Sequence, residues 1–214
     1  EAVSPTNISP IPVKITFNEP VEGFELGDLS LSGVSAENLQ TIENNRIFSF
    51  AIAPQGNGTC RVSLPAARVN DQAGNGNQAV PELQIEFDSE NPTVAISSTV
   101  TGPTNAALIP VKIEFSKPVS GFTADEIIVT NGAAANFRDT GAGQIYEADV
   151  TPAANGLVKI NVAANAAADV SGNPNLTGSE LILAVDYDRP VIDISANIAS
   201  PTNAALIPVK ITFN

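Results

Sequence analysis

The chain has 214 residues and a formal net charge of −13, with 10 Lys+Arg against 23 Asp+Glu. That balance repels phosphate, which excludes nucleic-acid binding through a basic patch and disfavours anionic membrane surfaces. With no His and one Cys (Cys60), the chain is also closed to Ser-His-Asp and Cys-His catalysis, the usual zinc ligand sets and an intrachain disulfide.

An internal repeat organises the rest. Pro5-Thr6-Asn7 returns as Pro103-Thr104-Asn105 and as Pro201-Thr202-Asn203, a fixed step of 98 residues. Ile11-Pro12-Val13-Lys14-Ile15 returns at 109–113 and 207–211, and Asp71 with Gly74-Asn75 and Asn77 returns as Asp169 with Gly172-Asn173 and Asn175. The copies align without a gap although their residues have diverged. Loops normally tolerate insertions, so the spacing itself is under constraint.

Within the second copy, strands are predicted near 93–98, 109–115, 127–130, 134–138, 145–151, 157–162 and 181–185. Apolar residues alternate with period two, as in Val111-Ile113-Phe115 and Val158-Ile160-Val162. Turn signals separate them: Asn131-Gly132, Gly141-Ala142-Gly143, Asn155-Gly156 and Ser171-Gly172-Asn173-Pro174. No helical period runs long enough for a helix, and no apolar stretch is long enough for a transmembrane one. Seven short strands at this spacing predict an all-β chain of tandem seven-stranded immunoglobulin-like β-sandwiches with a 98-residue repeat. The Cys-Trp-Cys core of antibody domains is absent. Aliphatics take its place, with Phe17, Phe48 and Phe87 matching Phe115, Tyr146 and Val185.

The repeat frame divides the chain into 1–91 (a first copy without its opening strand), 92–189 (a complete copy) and 190–214 (the start of a third). With no Met in the sequence, the expectation is a window on a longer tandem array. The alternative is a donor strand, supplied to the first copy by residues 190–199 of a neighbouring chain. Residues 201–214 duplicate 5–18, which favours the array.

The run Pro-Thr-Asn-x₅-Val-Lys-Ile-x-Phe, then Pro-Val-x-Gly-Phe, Asp-x-x-Gly-Asn-x-Asn and Asp-x-x-x-Pro, resembles a bacterial immunoglobulin-like (Big) repeat over the whole chain. It departs from the common pattern at Lys117, where Glu19 of the first copy is the more typical residue. Such repeats occur in tandem in large bacterial surface proteins and adhesins. The resemblance implies a non-catalytic structural segment of an extracellular surface fibre or adhesin stalk on the bacterial cell surface. The alternatives are a carbohydrate- or protein-binding adhesion module, or a subunit of a self-assembling extracellular filament. The partners it implies are neighbouring copies of the same repeat and a cell-surface or matrix ligand, with no nucleic acid and no membrane insertion in this segment.

The loop from Asp71 to Asn77 and its copy from Asp169 to Asn175 place side-chain oxygens two and four residues apart around a glycine. That pattern suits Ca²⁺, and it equally suits Asp and Asn capping their own turns. In a seven-stranded immunoglobulin topology the last strand ends at the pole opposite the loop joining the sixth and seventh strands. The linker residues Asp88, Glu90 and Asn91 are therefore expected near Asp169, Asn173 and the loop of Lys117, Asp125 and Glu126. Carboxylates gathered there repel unless a cation or Lys117 compensates. The candidate calcium ligands are Asp88, Glu90, Asp169, Asn173 and Asn175, with repeat equivalents Asp71, Asn75, Asn77, Asp186 and Asp188. The second linker carries Arg189 and needs a metal less.

Pro92 and Pro190 stiffen the short linkers, which predicts an extended array with restricted bending. Cys60 aligns with Val158 and reads as a small core hydrophobe. The sequons at Asn7, Asn57 and Asn175 read as polar loops. The pair Asp125-Glu126 becomes Gly27-Asp28 in the first copy, so it does not read as a catalytic dyad. Aromatics are 5 % of the chain, and Tyr187 is the main one outside the predicted cores.

Overall fold

Alternation of buried and exposed side chains is the rule that builds this chain. The computed structural model describes residues 3–213. Before Asp88 lie β1 (Ile11–Thr16), β2 (Val21–Glu22), β3 (Ser30–Ser32), β4 (Val34–Glu43), β5 (Ile47–Pro54), β6 (Gly58–Ser63), β7 (Asn70–Asp71) and β8 (Leu83–Phe87). After it lie β9 (Val94–Ser98), β10 (Ile109–Phe115), β11 (Val119–Ser120), β12 (Ile127–Thr130), β13 (Gly132–Asp139), β14 (Ile145–Pro152), β15 (Gly156–Val162), β16 (Ala168–Asp169) and β17 (Leu181–Val185). A further hairpin pairs β18 (Ile192–Ser195) with β19 (Lys210–Phe213).

The second repeat is a two-sheet sandwich. One sheet has the order β13-β14-β10-β9 and the other β12-β15-β17, all pairs antiparallel. This four-plus-three arrangement is that of the constant-type immunoglobulin sandwich. The seven strands fall where the sequence places them. In β10 every second residue points inward, so Ile109, Val111, Ile113 and Phe115 are at most 2 % exposed. Each such side chain contributes roughly 1.5–3 kcal/mol by leaving water. Facing residues from the other sheet are Val158, Ile160 and Val162, all fully buried. At one end of the core Phe115, Phe122 and Tyr146 pack edge to face, with ring centroids 4.9–5.8 Å apart.

The first repeat follows the same plan with the orders β1-β5-β4 and β3-β6-β8. Phe24 and Phe48 pack with centroids 5.0 Å apart, and Phe87 is buried, as the match to the second copy requires. Cys60 sits on β6 opposite Ile85 and is 1 % exposed, a core residue at the position of Val158. Burial, helped by the charge of Glu86, pushes its thiol above the ordinary range.

Two features were not legible as strands. The two-residue pairs β2–β7 and β11–β16 tie the segment after β1 or β10 to the loop before β8 or β17. They are too short to show a period. The second is a bulge in the strand beside β5 or β14. Asn38 and Asn136 adopt φ of 60° and 54°, and the register shifts there in both copies. Asn tolerates this left-handed conformation better than most residues, and the bulge turns the edge strand.

Candidate functional site at the repeat junction

The loop between β15 and β17 is folded by its own side chains. Asp169 Oδ1 accepts from the backbone N–H of Ser171 and of Asn173, each at 2.9 Å. Gly172 takes φ +90°, which closes the turn at little steric cost. Asn175 Oδ1 accepts from Ala167 N at 2.8 Å, and its amide nitrogen donates to the carbonyls of Ala163 and Leu176. Asn175 is 1 % exposed, so its sequon is a sealed structural position. The first repeat repeats the design. Asp71 accepts from Asn75 N and Nδ2, and Asn77 bridges Arg68, Val69 and Pro65. Turn capping is therefore what these residues do within each repeat.

The two copies differ in what covers them. Asp71 is half-buried and Asn75 exposed, whereas Asp169 and Asn173 are 6 % and 4 % exposed. The linker of the first repeat makes the difference. Asn173 Nδ2 donates to Asp88 O at 2.8 Å, Asn91 Nδ2 donates to Pro174 O at 2.7 Å, and Leu176 N donates to Pro92 O at 2.9 Å. The start of the first repeat reaches the same loop, where Asn7 N donates to Ser171 O at 3.1 Å. Pro92 is fully buried in the contact.

Lys117, from the loop after β10, closes the arrangement. Its Nζ lies 2.7 Å from Asp88 Oδ2, 2.6 Å from Glu90 O, 3.3 Å from Asp169 Oδ2 and 4.0 Å from Glu90 Oε2. Three acidic residues, two from the linker after β8 and one from the loop between β15 and β17, thus converge on one ammonium. Burial alone would raise the Asp169 carboxyl. The Asn173 hydrogen bonds and Lys117 outweigh it and hold the group below the ordinary range. For Lys117, burial would lower the amine, and the hydrogen bonds to Asp88 and Asp169 with their charges raise it instead.

The structure therefore brings together Asp88, Glu90, Asp169 and Asn173, and keeps Asn175 inside its own loop. Asp125 and Glu126, in a one-turn 3₁₀ segment, make no hydrogen bond or ion pair to the linker among the described residues. Asp71, Asn75 and Asn77 occupy the corresponding loop of the first repeat. Asp186 and Asp188 form the matching linker after β17 and are exposed. As a donor set for Ca²⁺ the junction carries an ammonium at its centre, and Asn175 lies buried in its own loop, apart from Asp88 and Glu90. Among the described residues no group of three or more His, Cys, Asp or Glu is disposed to hold a metal ion.

Two contributors escaped the sequence reading. Asn57 Oδ1 accepts from Ser89 N and Oγ, and its Nδ2 donates to Asp88 Oδ1 at 3.3 Å. Asn155, one repeat later, accepts from Tyr187 N at 2.8 Å. Each linker is thus gripped by its own repeat as well. Asp88 Oδ1 further accepts from Glu90 N, and Asp186 Oδ1 from Asp188 N, the same two-residue turn in both linkers. The recurrence of Asn57-Gly58 as Asn155-Gly156 is the available signal, although in sequence Asn155-Gly156 reads only as a turn and Asn57 as a polar loop.

The folded units are thus tandem immunoglobulin-like sandwiches joined by a bonded linker. Residues 6–87 and 88–185 each match the bacterial Ig-like domain family Big_12, and the chain belongs to that family. No curated protein sequence matches the chain. Among solved structures it is similar to InvD of Yersinia pseudotuberculosis (13 % identity, TM-score 0.43, 98 % of this chain and 66 % of that one). It is also similar to the Escherichia coli adhesin FdeC (15 %, TM-score 0.47, 86 % and 61 %). A third is the bacterial integrin-binding protein invasin (13 %, TM-score 0.39, 91 % and 40 %). The chain spans less than two thirds of each of those chains. None of its helices is long and apolar enough to cross a membrane among the described residues.

Proposed function

We propose that the chain is a non-catalytic structural segment of an extracellular bacterial surface fibre or adhesin stalk, in which successive repeats are held at a fixed joint. The observation that carries this reading is the grip on residues 88–92. Asn57 holds them from the first repeat; Lys117, Asn173, Pro174 and Leu176 hold them from the second. A flexible string of domains has no use for so many bonds to its linker. A spacer that must transmit position does, and in a tandem array stability then includes nearest-neighbour terms at each joint. The acidic surface keeps such a spacer soluble. Family membership supports a surface location, where such repeats recur.

Labelling of intact cells of the encoding bacterium with an antibody to this chain tests the location. Extracellular label on fibres or at the cell surface is expected. Label that appears only after lysis would overturn the reading. Calcium, which the sequence of these loops suits alongside turn capping, has a place in this scheme at joints where an acidic residue such as Glu19 replaces Lys117. There the linker and loop carboxylates would face each other without an ammonium.

A further inference from the structure

The triplet Pro-Thr-Asn marks the 98-residue step, and its threonine makes the same contacts in both repeats. Thr104 N donates to Ala184 O at 3.0 Å, and Asp186 N donates to Thr104 O at 2.9 Å. Thr6 N donates to Glu86 O and Asp88 N to Thr6 O, both at 3.0 Å. Each threonine thus runs parallel to the end of the last strand of its repeat, beside Val185 or Phe87. The preceding proline has no N–H to add to this pairing. The hydroxyl ends it: Thr104 Oγ1 accepts from Ala106 N and Thr6 Oγ1 from Ile8 N, each at 3.1 Å, which turns the chain away. The approach to the strand is close. A Cβ on Gly102 would stand 2.9 Å from Ala184 N, and at the same position of the first repeat Ser4 Oγ accepts from Glu86 N at 3.0 Å.

The path of the chain gives this short strap its importance. In the second repeat β9 runs along β10 in one sheet, and the strap then crosses to β17 in the other. β9 and β17 start at the same end of the sandwich, where Ser179 N donates to Val94 O at 3.4 Å. The chain therefore enters the repeat at Pro92, near the start of β17, and leaves it at Asp186, beyond the other end of β17. A pull along the array drives β9 and the strap one way and β17 the other. The bonds of Thr104 with β17 and of β9 with β10 lie across that motion, so they are loaded together. A ladder opened from one end yields one bond at a time and gives way more easily. In the first repeat the asparagine carries the tie onward, because Asn7 N donates to Ser171 O of the next repeat at 3.1 Å. Exit strand, linker and following loop are fastened by two adjacent residues.

We propose that Pro-Thr-Asn is a force-carrying strap, which keeps each repeat folded when the array is pulled along its length. The threonine backbone supplies the bonds to the exit strand, and the threonine hydroxyl holds that backbone in place. This inference deepens the stalk reading and rests on it for its purpose, since a spacer anchored at one end and engaged at the other is pulled. The strength of the strap belongs to the isolated chain. It can therefore fail while labelling of cells succeeds, and the reverse.

Single-molecule pulling of the 214-residue chain in a Cys60→Val background tests it, because forced unfolding reads the unfolding rate. Handles on Glu90→Cys and Asp188→Cys pull the second repeat lengthwise. Handles on Ala107→Cys and Asp188→Cys peel the strap from the end of β17. All three handle positions are exposed. The lengthwise pull is expected to need the higher force. Thr104→Pro removes the N–H that bonds Ala184 and is expected to speed lengthwise unfolding about tenfold at equal force, the equivalent of one 1.4 kcal/mol contact. The peeling force should stay nearly unchanged. Thr104→Val keeps the side-chain shape, loses the bond to Ala106 N, and should lower the lengthwise force by less. Equal forces in the two directions overturn the proposal, and so does a Thr104→Pro effect of the same size in both. The comparison of directions uses the threonine itself, so it decides the matter even where Thr104→Pro fails to fold.

Discussion

Lys117 Nζ stands 2.7 Å from Asp88 Oδ2, so the loop after β10 holds the linker that follows β8. The lysine side chain is 22 % exposed and the aspartate 31 %, while the third partner, Asp169, is 3 % exposed at its side chain. An ion pair this sheltered differs from the surface pairs of the sheet faces, such as Lys112 with Glu114, whose members are more than 40 % exposed and contribute little. Its importance lies in what its loss would leave behind. Without Lys117, the buried Asp169 keeps its loop hydrogen bonds but faces Asp88 and Glu90 with no countercharge.

Lys117→Ala is therefore expected to destabilise the second repeat and its joint by about 1–3 kcal/mol, the cost of leaving buried charged groups unmatched. By thermal unfolding this is a drop of several degrees in the transition of the second repeat, with that of the first nearly unchanged. Equal effects on both transitions, or none on either, would contradict the assignment.

The pH dependence follows from two opposite shifts. Asp169 is lowered in the fold, so its contribution is present above the unfolded value of about 3.9 and is lost as pH falls through the lowered folded value. Lys117 is raised, so its contribution is complete below about 10.4 and is lost as pH rises through the raised folded value. The joint should hold steady across the neutral range and fail only at the acid and alkaline extremes. Amide exchange of residues 169–175 followed against pH checks this; a step in exchange near neutral pH would refute it.

Calcium is addressed by melting the protein in calcium and in EDTA. With the ammonium of Lys117 at the centre of the acidic groups, the two melts are expected to coincide. Lys117→Glu should create the dependence, melting lower in EDTA than in calcium. A wild-type melt that falls in EDTA would place a cation in the joint.

Cys60 is 1 % exposed and its thiol is raised by burial, so a thiol reagent should leave the native chain unmodified and label it only on unfolding. Rapid labelling of the native protein would show that β6 does not sit where the repeat alignment puts it.

The strands were readable because every buried position of β10, β14 and β15 alternates with a more exposed one, and because a second copy repeats the pattern. The meeting of Asp88 with Asp169 and Lys117 was readable from topology, since strand order alone brings the end of β8 to the loop before β17. The grips of Asn57 and Asn155 were not. An Asn in a turn looks the same whether it caps itself or holds a linker 32 residues away. The sequence also left open whether Asp169 and Asn173 cap a turn or bind a cation, because one donor set serves both. At Asn175 the fold shows the capping bond, with its oxygen accepting from Ala167 N inside the buried loop.

The central claim is that residues 88–92 form a fixed joint. It is tested most directly by the distance distribution between spin labels at Thr41→Cys and Thr177→Cys in a Cys60→Val background, read by pulsed electron resonance on dilute protein. Both label sites are exposed and lie on different repeats. A single narrow distribution that broadens with Lys117→Ala is the predicted result. A broad distribution in the wild-type joint, unchanged by Lys117→Ala, would contradict it.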